Sequence, residues 1–173
     1  PSRQPETASV AAVLAVHRPL IHIKAPATLD GGDVLVAGRR IYIGLSTRTS
    51  RDAIQQLAGQ VAPFGYEVIP VVFAGCLHLK SAVTCLADGL VLLNPAWVDA
   101  RVFAGWRALT VDPAEPHAAN ALPLGGAVIH PQQHARTRAR IESAGFTVVP
   151  VPQVELAKAE AGVTCCSLLV EER

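Results

Sequence analysis

Methionine is absent from this chain, aromatic residues make up only 5%, and just 17% of its 173 residues are charged. With half of the residues hydrophobic, so little charge excludes an intrinsically disordered chain. Neither sign of charge predominates, since 15 Lys and Arg stand against 14 Asp and Glu. That balance supplies no concentrated basic stripe for nucleic acid or for an anionic membrane surface. No apolar run approaches the roughly 18 residues of a membrane span. The longest near the start, residues 10–16, is closed by His17-Arg18-Pro19, and no charged segment precedes it as in a signal peptide. The four cysteines (Cys76, Cys85, Cys165 and Cys166) lack the CxxC spacing of a metal site. Two of them are adjacent and poorly placed to bridge, because disulfides prefer Cα separations of roughly 4.4–6.8 Å. A reduced, cytoplasmic chain is expected. Without methionine and opening on Pro1-Ser2-Arg3, the sequence reads as a fragment or a processed chain.

What is present is a repeat. Gly65-Tyr66-Glu67-Val68-Ile69-Pro70-Val71 returns 80 residues later as Gly145-Phe146-Thr147-Val148-Val149-Pro150-Val151, and a similar strand-like run, 106–111, lies halfway between. The period is therefore about 40 residues, within the range of repeat architectures. Each period opens with two short β-rich runs joined by a glycine-bearing turn: 34–36 with 41–43, 83–86 with 90–93, and 119–122 with 127–129. A helix is expected next: 51–62 capped by Ser50, one starting at Asn94-Pro95, and 134–144 ending before Gly145. A closing strand completes a ββαβ unit. Residues 6–16 followed by 21–23 read as the αβ tail of a further unit, and 163–170 as a strand of another. One domain spanning residues 1–173 is expected, with an α/β fold of three full units and partial first and last ones.

The candidate reactive residues fall at equivalent places, just after the closing strand of each unit: Asp30, His78, Asn120 and Cys165. Units set around a common axis bring such positions together, one group from each. Cys165 lies in Gly162-Val163-Thr164-Cys165-Cys166-Ser167, where strand alternation sends the two cysteines to opposite faces. A thiol needs a cationic or hydrogen-bonding neighbour to ionise near neutral pH; in an apolar run a cysteine is as readily a small buried hydrophobe. His78 sits between leucines on an expected strand, a setting as suited to a structural histidine as to a catalytic one. In Thr28-Leu29-Asp30-Gly31-Gly32-Asp33, two carboxylates bracket two glycines, so one can face a cavity and the other the scaffold. A solvated hairpin turn reads the same way; a calcium loop needs further oxygen ligands that are missing. Arg48, just beyond an expected buried strand, can grip a carboxylate bidentately or simply be solvated. Zinc held by Cys165, Cys166 and His78 is a weak rival.

Taken in order, ATLDGGDVL (27–35), GLSTRTS (44–50), LHLKS (77–81), AANAL (118–122) and AGVTCCSLLV (161–170) resemble the dimethylarginine dimethylaminohydrolases of the guanidine-modifying, or pentein, superfamily. The resemblance covers essentially the whole chain. It implies an α/β propeller of ββαβ units around a pseudo-fivefold axis, here lacking its N-terminal part. It also implies roles: Cys165 as nucleophile, His78 as general acid and base, and Asp30 as the carboxylate orienting the imidazole and gripping the guanidinium. Arg3 and Arg48 would clamp the substrate's α-carboxylate, and Ala159 and Glu160 would receive its amine on backbone carbonyls. The implied partner is a small methylated arginine, hydrolysed to citrulline with no cofactor or metal; an exposed final strand would favour a homo-oligomer. Arginine deiminases, by comparison, carry an aspartate where this chain has Lys80. A lysine accepts no hydrogen bond from an unsubstituted guanidinium nitrogen, which favours a methylated substrate. The alternatives are an inactive pentein remnant that binds or dimerises, and a relative acting on another guanidine (a deiminase or an amidinotransferase).

Overall fold

The computed structural model of the chain describes residues 5–158, 161–165 and 167–170. Among the described residues, nine strands form three separate three-stranded sheets, and each sheet is one repeat unit. The first holds β1 (Val34–Ala37), β2 (Arg40–Leu45) and β3 (Glu67–Val72); the second, β4 (Val83–Ala87), β5 (Leu90–Leu93) and β6 (Arg107–Thr110); the third, β7 (Leu122–Leu124), β8 (Ala127–Pro131) and β9 (Thr147–Val151). In every sheet the first two strands pair antiparallel and the third lies parallel to the second. The repeat holds down to register. Pro70 stands opposite Ile43, the fourth residue of β2, and Pro150 opposite His130, the fourth of β8. Both prolines lie on edge strands, where a missing N–H costs no ladder bond.

The connections follow from local chemistry. Helix α1 (Glu6–Ala15) precedes the sheets and buries none of its side chains. Helix α2 (Arg51–Val61) starts at Ser50, whose Oγ accepts from the Ala53 N–H at 3.3 Å, and it buries Ala53 and Ile54 against Ile41 and Ile43. A single turn, α3 (Leu79–Ala82), leads into β4. Helix α4 (Ala135–Ser143) crosses between β8 and β9, and α5 (Val154–Lys158) follows. Gly65 and Gly145 stand just before β3 and β9 with φ of 76° and 97°, a left-handed backbone that glycine adopts without cost.

Strand β5 explains why the units sit side by side. All four of its residues are buried, and alternation splits them between two cores. Val91 and Leu93 pack with Tyr42, Val71, Leu79 and Phe103 of the first unit's side; Leu90 and Leu92 pack with Val111, Ala118, Val128 and Ile141 toward the third. A hydrogen bond from Thr84 Oγ1 to the Ala119 carbonyl, 2.7 Å, stitches the second and third units. No described helix is long and apolar enough to cross a membrane.

Several expectations are corrected. No strand forms at 21–23, nor among the described residues of 163–170. The strand expected at 119–122 begins only at Leu122, because Ala118 to Ala121 are consumed in packing between units. Asn94 caps no α-helix: its Oδ1 accepts from the Ala96 N–H and its Nδ2 donates to the Pro116 carbonyl, making a turn, and only a 3-10 segment (Ala100–Phe103) follows. His78 is not on a strand but is the extended residue preceding α3. Cys165 lies in a turn rather than on the expected strand, and Cys166 falls outside the described residues.

Candidate active site

The Asp-Gly-Gly-Asp segment folds as a single 3-10 turn (Gly31–Asp33) capped by Asp30, whose Oδ1 accepts from the Gly32 N–H at 2.9 Å. The two carboxylates then diverge as expected from their spacing. Asp33 is fully buried. Its Oδ2 accepts from Ser46 Oγ (2.6 Å) and Thr49 Oγ1 (2.7 Å), and its Oδ1 from the Leu79 N–H (3.1 Å). One side chain thus locks the Ser46-to-Thr49 loop of the first unit to the residue after His78. Asp30 remains partly open, its N–H donating to Thr49 Oγ1 at 3.1 Å.

This scaffold sets His78 against Asp30, with Nε2 3.1 Å from Oδ2. The imidazole is buried, and neither of its ring nitrogens makes a hydrogen bond of good geometry among the described residues. Close packing requires glycine at position 32, because a Cβ there would lie 2.5 Å from His78 Cγ. Arg48 Nη1 approaches the same Asp30 oxygen at 3.6 Å from a half-exposed position. Burial pushes the Asp30 carboxyl up. The Gly32 N–H, His78 and Arg48 outweigh it and hold Asp30 below the usual carboxylate range.

Cys165 is a free, exposed thiol in the turn after Gly162, and its N–H donates to the Gly162 carbonyl at 3.0 Å. Exposure removes its reading as a small buried hydrophobe. No hydrogen bond joins it to His78 among the described residues. Lys80, two residues beyond the histidine, is electrostatically coupled to it: burial lowers the ammonium's pKa, while Cys165, Asp30 and Asp33 pull it back up. Asn120 links the two loops, its Nδ2 donating to the Lys80 carbonyl (3.1 Å) and Thr164 Oγ1 (2.9 Å) and its Oδ1 accepting from the Thr164 N–H (3.1 Å).

The structure thus places Asp30 beside both His78 and Arg48, and ties the turn that bears Cys165 to Lys80 through Asn120. Arg3, Ala159 and Glu160 lie outside the described residues. No group of three or more metal-ligating side chains occurs among the described residues. Sequence reasoning missed the depth of Asp33 and the fully buried His130, whose Nε2 stands 2.9 Å from the Ala118 carbonyl. Burial holds that imidazole's pKa below its ordinary value, the Ala118 contact offsetting part of the effect. Its place directly after the expected strand 127–129 and next to a proline was the available signal.

The family model for arginine deiminase matches residues 1–113. An N(G),N(G)-dimethylarginine dimethylaminohydrolase of Streptomyces coelicolor is 36% identical over 173 residues, covering 99% of this chain and 66% of its own. One from Pseudomonas aeruginosa is 31% identical over 146 residues, covering 84% of this chain and 58% of its own. Among solved structures, the Pseudomonas aeruginosa enzyme, as a cysteine-to-serine mutant complexed with citrulline, superposes with a TM-score of 0.89 at 28% identity, over 95% of this chain and 65% of that one. The chain thus spans about three-fifths of the length of the curated relatives it matches. Three like sheets, an aspartate–histidine pair between them and these matches agree, and the chain belongs to the arginine deiminase family, with the pentein fold, beside the dimethylarginine dimethylaminohydrolases.

Proposed function

We propose that the protein hydrolyses Nω-methylated arginines, asymmetric dimethylarginine and monomethylarginine, to citrulline and dimethylamine or methylamine. The observation that carries this reading is the Asp30–His78 pair, 3.1 Å apart, with the turn that bears Cys165 tied to Lys80 of the same segment through Asn120. The names of the relatives and the citrulline held by one of them support it.

A guanidinium carbon is electrophilic but resonance-stabilised, so water alone attacks it slowly. The Cys165 thiolate adds to that carbon, and the carbon–nitrogen bond to the methylated amine breaks as His78 gives that nitrogen a proton. An S-linked thiouronium remains. His78, now neutral, takes a proton from water as the water attacks the same carbon; the carbon–sulfur bond breaks, releasing citrulline and the thiolate. General acid–base help of this kind is worth about 10²–10⁴-fold. Asp30 Oδ2 stands beside Nε2, at 3.1 Å, so the proton that moves in this scheme is the one on Nδ1. An ionised Asp30 favours the tautomer with hydrogen on Nε2, which leaves Nδ1 a base. The reaction is a hydrolysis and calls on no cofactor or metal.

Arg48, with Arg3, takes the α-carboxylate, and the carbonyls of Ala159 and Glu160 take the α-amine. Lys80 stands where a deiminase offers a second carboxylate, and this selects the methylated nitrogen. The free thiols at Cys76, Cys85 and Cys165 suit a reducing cytoplasm. Turnover of asymmetric dimethylarginine against plain arginine by the purified protein tests the reading. The methylated substrate is expected to have the higher kcat/KM, and Lys80→Asp to shift the ratio toward arginine. Arginine turned over as fast as the methylated substrate by the unaltered protein contradicts it.

A further inference from the structure

Asn120 lies 40 residues from Lys80 and 44 from Thr164, yet its one amide bonds a polar atom of the first and two of the second. The side chain is almost fully buried, at 5% exposure. It sits at the boundary between the second and third units, beside Ala118, Ala119 and Ala121 of the core they share. Fixing both ends of the amide fixes its orientation: the nitrogen faces a carbonyl and a hydroxyl, and the oxygen faces an N–H. Close packing holds it from the other side, because a methyl group built on Gly162 would overlap the Asn120 amide. The residue before Gly162 is tethered as well, its carbonyl accepting from the buried Gln153 Nε2.

We infer that Asn120 is a positioning residue for the nucleophile. By clamping the Lys80 carbonyl to the N–H and hydroxyl of Thr164, it sets where the adjoining Cys165 stands relative to Lys80 and His78. This rests on Cys165 being the nucleophile, but the clamp itself is a statement about the loop. An exposed thiol on a short turn has no packing of its own to hold it. A nucleophile displaced by about 1 Å loses on the order of 10²-fold in rate, so two hydrogen bonds at the preceding residue and a third to Lys80 are well placed to matter. Asn120 touches no reacting atom in this scheme; it acts through Thr164.

Two isosteric changes probe the clamp. Asn120→Asp keeps the acceptor for the Thr164 N–H but turns a carboxylate oxygen toward the Lys80 carbonyl. Thr164→Val removes only the hydroxyl acceptor, and Thr164→Ser restores it. On the purified protein, Asn120→Asp is expected to lower kcat about 10–100-fold and Thr164→Val roughly 10-fold, with KM within about threefold. Thr164→Ser should recover to within about threefold of the unaltered protein. A second readout needs no turnover: alkylation of Cys165 by iodoacetamide, followed by peptide mass spectrometry with Cys76 and Cys85 as references in the same digest. It should slow about tenfold in Asn120→Asp and Thr164→Val and not in Thr164→Ser, because alkylation consumes thiolate and reports its charged surroundings. Should Asn120→Asp fail to fold, the Thr164 pair carries the test alone. Equal Cys165 alkylation rates in Thr164→Val and Thr164→Ser overturn the proposal, as does a KM rise at unchanged kcat. If the unaltered protein forms no citrulline, the substrate reading fails, while the alkylation arm still decides the clamp.

Discussion

Cys165→Ser is expected to abolish citrulline formation, by at least about 10³-fold in kcat, whereas Cys166→Ser keeps most of it. The two positions are consecutive in the chain, so composition and local hydrophobicity do not separate them. The turn after Gly162 presents Cys165 as an exposed thiol immediately after the residue that Asn120 holds, and this carries the choice of Cys165. Serine is nearly isosteric and leaves that turn intact. Its hydroxyl, however, ionises far less readily than a thiol and needs a base aligned with it to attack carbon. In the proposed reaction the attacking group is a thiolate, and the first step asks of the imidazole only the protonation of the leaving amine. A citrulline assay under saturating substrate checks this directly. Equal loss from both substitutions would assign the nucleophile wrongly.

The second large effect falls on stability. Asp33→Ala is expected to lower the unfolding free energy by about 3–5 kcal/mol. Asp33 is fully buried and accepts from two hydroxyls and one backbone N–H. Truncation leaves those three donors facing a cavity, and hydrogen bonds to a charged acceptor are individually worth about 1.5–3 kcal/mol. Ser46 and Thr49 can rotate toward other acceptors, which keeps the total below the simple sum. The Leu79 N–H cannot move without displacing α3 and, with it, His78. Against a total stability of about 5–15 kcal/mol for a domain, such a loss threatens folding itself. Asp33→Asn, with one carbonyl oxygen retained, should cost about 2–3 kcal/mol and is the form to examine if Asp33→Ala does not accumulate. Urea unfolding midpoints give the comparison; an Asp33→Asn change below about 0.5 kcal/mol would place Asp33 among ordinary surface positions.

The parts of the fold that were legible in the sequence are those where local pattern and tertiary role coincide. Gly65 and Gly145 stand where the chain turns left-handed, and the Val-aliphatic-Pro-Val runs after them are edge strands that tolerate proline. Ser50 capped its helix as its residue type and position implied. The misread parts are those where a partner distant in sequence decides. Asn94 followed by proline has the signature of a helix start, but the asparagine is consumed by Ala96 and Pro116 instead. Leu168, Leu169 and Val170 have strand-forming composition, yet they are exposed and join no sheet among the described residues. At the site, the spacing of Asp30 and Asp33 foretold that they would face differently. Nothing local foretold that Asp33 would bind Leu79, 46 residues on, or that Asn120 would gather Lys80 and Thr164. Those contacts exist because three repeat units meet, and a one-dimensional pattern carries no distance between units.

The central claim is that a thiol, an imidazole and a carboxylate from different units act on one guanidinium carbon through a bond to sulfur. Rapid acid quenching of the protein with asymmetric dimethylarginine, followed by peptide mass spectrometry, addresses it most directly. The account predicts a transient adduct on the Cys165 peptide, with the mass of substrate less dimethylamine, rising before citrulline reaches its steady rate. Citrulline accumulating with no adduct at Cys165, or with the adduct on Cys76 or Cys85, would contradict it.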